Sequence, residues 1–593
     1  MEYATLADYC RRLEDTDADI ELVATLADLF RTADADHLPA VVTMVRGKVA
    51  PRWEGLELGV SSSLTTDAVL RATGVDADAL EAAWRDRGDL GAAAEWAVEN
   101  SRQRTLVSGT LTVRGVHGML RELAGYEGRG SRDRKVETLA GLVADADPTE
   151  ARYLVRTALG YMRIGVGDGT VRDAVAEAFL TDDPDADGDD APGTPSATVP
   201  GVEAVERAAQ LTNDYRVVAG IARDGGIAGL RDLDLELGRP VELMLARKAE
   251  GLEAGLADVA RLDGDGAGEP DGADGDGPAW RGRVLAETKY DGIRVQAHVD
   301  GDDVRLFTRR LVDVTEGFPE VVDALRTGVT AERALLDGEL VGYDAATGEP
   351  AAFQELSRRV KREDDVDALA AELPATLHPF DCLHVDGRTL LDEPLRERLD
   401  ALESAFDPVE GLSRATATVP EDVAAARACY REAVDAGHEG VMLKNLDAGY
   451  QPGRRVGRML KHKPVMEPLD LAVTRGQYSE GRRSSLLGRL YLGAYDPDAD
   501  AFREVGRLST GYTDAELSDL TERLEALVLD RDGRDVTVRP ELVLEVEYEE
   551  LQTSPEYGSG YALRFPRFLG VREDLGPTDA DTVERVEQLY EGQ

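Results

Sequence analysis

Glu287-Thr288-Lys289-Tyr290-Asp291-Gly292 ends one apolar run and opens another, and the residues around it decide how the chain is read. Val284, Leu285 and Ala286 before it make a short apolar strand that Lys289 ends. After it, Val295, Ala297 and Val299 alternate with Arg294, Gln296 and His298, the period of a strand. Asp300-Gly301 then turns the chain, and Val304 to Thr308 makes the return strand. An offset of two puts Glu287 and Lys289 on the same strand face. An amine there can attack phosphorus only when neutral. An ordinary lysine, with a pKa of about 10.4, therefore needs burial or nearby positive charge, such as a metal ion. K-x-D-G alone fits an exposed strand-end lysine beside a turn equally well.

Its company decides between the two. Leu336-Asp337-Gly338-Glu339-Leu340 sets a carboxylate inside an apolar strand, and His438-Glu439-Gly440-Val441-Met442-Leu443-Lys444 sets another before one. Carboxylates beside buried strands suit a hard divalent cation held partly by phosphate oxygens. Lys461 and Lys463, two apart, are expected to share a strand face as phosphate ligands would. The chain has eight lysines against sixty arginines, and Lys289, Lys444, Lys461 and Lys463 are half of the eight. A composition that replaces lysine nearly everywhere keeps it at these four places, which points to chemistry.

Outward from this centre the chain is too long, at 593 residues, for one core. Residues 1–235 read as helical. Asp147-Pro148-Thr149-Glu150 offers an N-cap, a proline at N1 and a glutamate at N3, and Leu154, Val155, Ala158, Leu159 and Met162 continue the apolar stripe. Val171, Ala174, Val175, Ala178 and Phe179 mark a later helix. Residues 236–465 read as α+β, with further strands at 335–343, 378–385 and 441–444. Residues 466–593 read as a small β-barrel, with strands at 486–495 and 542–548. Acidic, glycine-rich runs at 181–199 and 261–278 read as disordered insertions.

Three scattered cysteines give neither a metal pattern nor a disulfide framework. Without an apolar run of membrane length or a leader-like start, the expectation is a cytoplasmic protein with no membrane partner. The net charge of −48 would ordinarily argue against nucleic acid. Uniform acidity with lysine depletion instead resembles proteins of salt-loving organisms, where a Debye length of about 3 Å at molar salt mutes self-repulsion. No G-x-x-x-x-G-K-[ST] loop occurs, which argues against a P-loop kinase or helicase.

The ordered set resembles the nucleotidyltransferase motifs of ATP-dependent DNA ligases of the archaeal and eukaryotic type, over nearly the whole chain. The resemblance implies a multidomain fold: an all-α DNA-binding domain, an α+β adenylation domain and a C-terminal OB-fold barrel. It makes Lys289 the lysine that carries AMP. Arg294 and Arg309 match the family's arginines that contact the nucleotide sugar and the DNA 5′-phosphate. Glu339 and Glu439 match its metal-binding glutamates, and Phe380, in His378-Pro379-Phe380-Asp381, the ring that stacks on adenine. Glu287 lies against the adenine by the same resemblance, and Arg455, Lys461 and Lys463 contact phosphates. The implied cofactors are ATP and a divalent metal, magnesium or manganese. The implied partner is nicked double-stranded DNA, with a sliding clamp as a further candidate, and the protein acts as a monomer. Gly128-Arg129-Gly130-Ser131 before Lys135, and Arg163-Ile164-Gly165-Val166-Gly167, resemble loops of the family's DNA-binding domain. Glycine loops at helix N-termini present backbone N–H groups to phosphates.

Two positions depart from the pattern. Met459 stands where the family usually has tryptophan, and Arg572-Glu573-Asp574-Leu575 lacks the lysine of R-x-D-K, with Arg564 and Arg567 as candidate substitutes. The rival readings are an RNA ligase or capping guanylyltransferase, against which the long helical region argues, and a non-catalytic DNA-end-binding scaffold.

Overall fold

Asp147 and Glu150 form a reciprocal capping box, each side chain accepting from the other's backbone N–H at 2.8 Å, and start the helix Pro148–Ala158. That helix is one of twelve between Tyr3 and Arg231 among the described residues. The computed structural model describes residues 1–101, 109–181, 201–261, 278–360, 365–463, 466–479 and 485–591, without the side chains of Arg455 and Val456. The runs expected at 181–199 and 261–278 lie, apart from Thr181, Arg261 and Pro278, outside the described residues. The stripe of the capped helix is shorter than its periodicity predicts. Leu159 is already the C-cap, and Met162 reaches the helical core from the following turn. Arg156 is buried in that core and satisfied by Glu14, Asp89 and the Met162 carbonyl. A buried guanidinium is tolerated only with such partners.

The central strands are β1 (Leu245–Lys248), β2 (Val284–Lys289), β3 (Ile293–Asp300), β4 (Asp303–Thr308), β5 (Arg333–Gly342), β6 (Ala375–Val385), β7 (Arg388–Thr389), β8 (Ala417–Thr418), β9 (Gly440–Asn445) and β10 (Arg455–His462). They form two five-stranded sheets, ordered β1-β10-β9-β2-β8 and β4-β3-β5-β6-β7. The K-Y-D-G turn joins the two, leaving β2 in the first sheet and entering β3 in the second.

The alternation in β3 is real, but it does not separate inside from outside. Gln296 and His298 are as buried as their apolar neighbours. The segment that precedes β1 lies on their face: Gln296 bonds both backbone groups of Val241, and Gly238 N–H donates to His298 Nδ1 at 3.1 Å. Leu211, from the helical region, shares an apolar cluster with Val241, Met244, Leu335, Tyr450 and Met459. The helical and central regions thus form one compact unit, Met1–Lys463, and Pro464–Gln593 form a second.

The second unit is strand-rich: β11 (Leu469–Gln477), β12 (Arg489–Asp496), β13 (Ala501–Leu508), β14 (Val528–Asp532), β15 (Asp535–Val538), β16 (Val543–Glu547), β17 (Glu550–Thr553), β18 (Tyr561–Arg564) and β19 (Arg567–Val571). β11 pairs with β12 on one edge and with β15 and β16 along the other, so the sheet branches around it. β12 begins three residues after the expected Leu486, because Leu487 turns into the core instead. Among the described residues no helix is long and apolar enough to cross a membrane.

Candidate active site

β2 and β9 pair antiparallel along their whole length, with Lys289 opposite Gly440 and Glu287 opposite Met442. This register brings Glu439 to Lys289. The Glu439 N–H donates to the Lys289 carbonyl at 2.9 Å, and its carboxylate takes an ion pair from Lys289 and another from Lys463 at 2.7 Å. Burial alone would raise the Glu439 carboxyl, but Lys289 and Lys463 hold it below the ordinary carboxylate range. Burial, then the Lys289 charge, pushes Lys463 below the usual lysine range. Gly440 is required here. A Cβ would stand 2.3 Å from the His462 carbonyl oxygen, and its φ is +130°.

Two residues further into the same strand pair, Glu287 accepts from Lys444 Nζ at 2.5 Å, and both side chains are sealed from solvent. Lys444 Nζ also stands 4.1 Å from the centre of the Phe380 ring, and the Arg294 guanidinium 5.4 Å from it. The half-buried ring of Phe380 is therefore flanked by two cations.

Arg294 and Glu339 face each other across β3 and β5. Arg294 is not directed at open space. It holds fully buried Asp337 with two bonds, 3.0 and 2.7 Å, and donates to the Met244 carbonyl at 2.8 Å. Tyr450 donates its hydroxyl to the same aspartate at 3.0 Å. Glu339 borders the cleft, and its carboxyl is pushed up to about 8. Burial dominates, Lys289 and Arg294 oppose it, and Glu439 and Asp337 add to it. Gly292 explains the last letter of K-x-D-G, since a Cβ there would meet the Leu340 carbonyl oxygen at 2.2 Å and Glu339 Cγ at 2.9 Å.

Behind Lys289, Tyr290 stacks on His378, with centroids 4.4 Å apart, and meets His438 edge-on. Lys461 lies on β10 opposite Met442, near enough for its charge to act on Lys463. Arg309 is exposed just past β4, its N–H donating to the Arg294 carbonyl at 3.1 Å. Arg455 opens β10, and its side chain lies outside what is described. The structure thus gathers Lys289, Glu339, Glu439 and Lys463 at one cleft, with Glu287, Arg294 and Phe380 in its wall.

Residues 244–463 match the family model described as the ATP dependent DNA ligase domain, 2–176 the DNA ligase N terminus, and 483–575 the ATP dependent DNA ligase C terminal region. A DNA ligase of Natronomonas pharaonis is 45% identical over 99% of this chain and 100% of its own. One of Haloferax volcanii is 44% identical over 100% of both chains. The chain belongs to the ATP-dependent DNA ligases. Among solved structures, Pmar-Lig_Pre shares the fold of this ligase, with a TM-score of 0.54, 15% identity and coverage of 96% of this chain and 99% of that one.

The helical, α+β and strand-rich parts follow the architecture of the ligases. Asp337 and Tyr450 are wall residues that sequence reasoning did not assign. The available signal was an acid inside the apolar run Ala334 to Leu340, because a buried carboxylate requires a cation partner. Met459 shares a buried cluster with Tyr450 and Met244 and lines a small cavity with Arg294, Phe380 and Lys444, so the departure from tryptophan falls in the wall beside them. In the C-terminal unit Arg572 is taken by Asp574 and Asp470, Glu573 by Arg523, and Arg564 by Glu550. Gly130 and Gly167 occupy the N-cap positions of the helices Ser131–Asp145 and Asp168–Phe179, so both glycine loops open onto helix N-termini. Lys135 is buried and donates to the Leu58 carbonyl at 2.7 Å, a structural role.

Proposed function

We propose that Lys289 is the nucleophile of this ligase. The observation that carries the reading is the Lys289–Glu439–Lys463 arrangement, because it sets a half-buried amine beside a carboxylate that orients it and a second ammonium that can neutralise phosphate charge. With Nζ deprotonated, its lone pair attacks the α-phosphorus of ATP, the bond to the bridging oxygen breaks, and pyrophosphate leaves. AMP then passes to the 5′-phosphate at a nick. The 3′-hydroxyl attacks that phosphorus last, losing its proton as AMP departs. All three are displacements at phosphorus, where positioning and charge stabilisation dominate.

Lys463 and Lys461 would neutralise phosphate charge, and Arg309, exposed just past β4, would meet a phosphate. Phe380 offers its ring to the adenine, with Glu287 beneath. Arg294 acts through Asp337, fixing the wall of the sugar site. Glu339 and Glu439 are oxygen donors of the hard type that magnesium or manganese takes, and phosphate oxygens would complete the shell. Such a cation would stabilise charge on the phosphates. Glu339, with its proton affinity raised by burial, is the carboxylate that a cation would relieve most. Arg455 is assigned to phosphate on resemblance alone.

The same reading divides the chain at 235 and 465 into DNA-binding, adenylation and OB-type parts. It places the glycine loops against DNA phosphates, and sets the ligase in a salt-rich cytoplasm as a monomer that a sliding clamp can recruit. Incubation with ATP labelled at the α-phosphate tests the centre of it. The wild type should take a covalent label that nicked DNA removes, and Lys289→Ala should take none. A wild type without label, in molar salt with a divalent metal, overturns the assignment.

A further inference from the structure

A second cavity, of about 240 Å³, lies where the helical region meets the far end of β3. Trp53, Gly238, Arg239, His298 and Arg305 line it, with Glu236, Asp300 and Asp303 alongside. Three nitrogens from three separate parts of the chain are buried there without a hydrogen-bond partner among the described residues: Trp53 Nε1, Arg239 Nε and His298 Nε2. All three are donors. Indole and guanidinium nitrogens have no other role. For His298, Gly238 N–H occupies Nδ1, and burial, with Arg305 and His384 nearby, lowers the ring to about 3. The neutral ring therefore carries its one proton on Nε2.

The donors are held in place independently of any ligand. The Arg239 guanidinium lies over the Trp53 indole, 5.4 Å from its centre, and His298 rests edge-on against Phe307 at 5.1 Å. The turn carrying Trp53 is pinned by Glu54, which pairs with Arg121 at 2.7 Å and Arg216 at 2.5 Å. The acids are at the rim, more than half exposed, and each has its own arginine: Glu236 with Arg239, Asp300 with Arg333, Asp303 with Arg305. The buried floor thus presents N–H groups and one guanidinium, with no acceptor for them. Buried donors left without an acceptor are destabilising, and an acceptor in the cavity would relieve all three.

We propose that this cavity binds a small anion, held by Trp53 Nε1–H, Arg239 Nε–H and His298 Nε2–H, and that the anion bridges the helical region, the segment before β1 and β3. Its source is either a free inorganic anion or a phosphate of bound DNA. The test uses bromide and inorganic phosphate with the full-length protein. Crystals soaked in bromide, or grown with phosphate, should show the anion within hydrogen-bond distance of the three nitrogens. Trp53→Phe keeps an aromatic ring but removes one donor, and should weaken phosphate or bromide binding about tenfold at constant ionic strength. Arg239→Lys keeps the charge but removes Nε–H, and should weaken it comparably, which covers the case of a misfolded first variant. If nicked DNA displaces bromide, the acceptor is a DNA phosphate; if bromide stays bound beside DNA, it is a solution anion. Water alone in the cavity, or equal anion binding by wild type and both folded variants, overturns the proposal.

Discussion

Two carboxylate–lysine contacts start two residues apart on β2, yet their settings differ. Glu287 and Lys444 keep 3% and 6% of their side-chain surface, whereas Lys289 and Glu439 keep 20% and 21%. The inner pair is one-to-one and closed. At the outer site one carboxylate serves two lysines, so a proton or a charge can be exchanged there with whatever enters the cleft. Identical residue chemistry therefore yields a closed pair in one place and a partly exposed pair, which includes the proposed nucleophile, in the other. Depth along β2 makes the difference, set by the register that puts Gly440 opposite Lys289.

The sharpest break of this contrast is at the proposed nucleophile. Lys289→Ala should abolish covalent AMP labelling, a loss on the order of 10⁴-fold or more, while urea midpoints barely move, because the lysine is at the cleft surface. The inner pair should behave oppositely. Glu287→Gln leaves Lys444 buried and unpaired, which costs about 3 kcal/mol of unfolding free energy. Adding Lys444→Met should restore most of that loss, and a double variant no more stable than Glu287→Gln would mean the pair is not sealed. Glu439→Gln should fall between them. Adenylation is expected to drop about 100-fold, as on removing one charge-positioning group, with stability within about 1 kcal/mol of wild type.

The same contrast marks what the sequence discloses. The Asp147–Glu150 cap and the period-two run of β3 are local, fixed by neighbours within four residues, and both were legible. Lys289, Glu339 and Glu439 were legible as a set, because lysine is scarce and acids inside apolar strands need a reason. The fate of each side chain was not. Arg294 reads as a nucleotide-site arginine, yet Asp337, forty-three residues on, takes its Nε and one Nη, and the Met244 carbonyl takes the other Nη. Gln296 and His298 alternate with apolar residues, yet the segment around Val241 buries them as deeply. Such partners arrive from distant chain segments, and no local pattern encodes them.

The smallest expected effect tests the contrast through protons. Glu439 is held below the ordinary glutamate range, so its contribution to stability is complete above that range and is lost as pH falls through its lowered value. Glu287 is raised, burial outweighing the attraction of Lys444, so only between the ordinary glutamate range and that raised value does its folded form hold a proton that the unfolded chain has released. Its contribution therefore runs the other way: stability falls as pH climbs from the ordinary glutamate range through the raised value. Urea unfolding across acidic to neutral pH, in buffer free of divalent metal, separates the two. Glu439→Gln should remove part of the loss on the acid side. Glu287→Gln with Lys444→Met, which leaves no charge of that pair behind, should flatten the decline toward neutrality. If both variants changed the profile with the same sign, the two carboxylates would not differ in setting, and depth along β2 could not be what separates the closed pair from the proposed nucleophile.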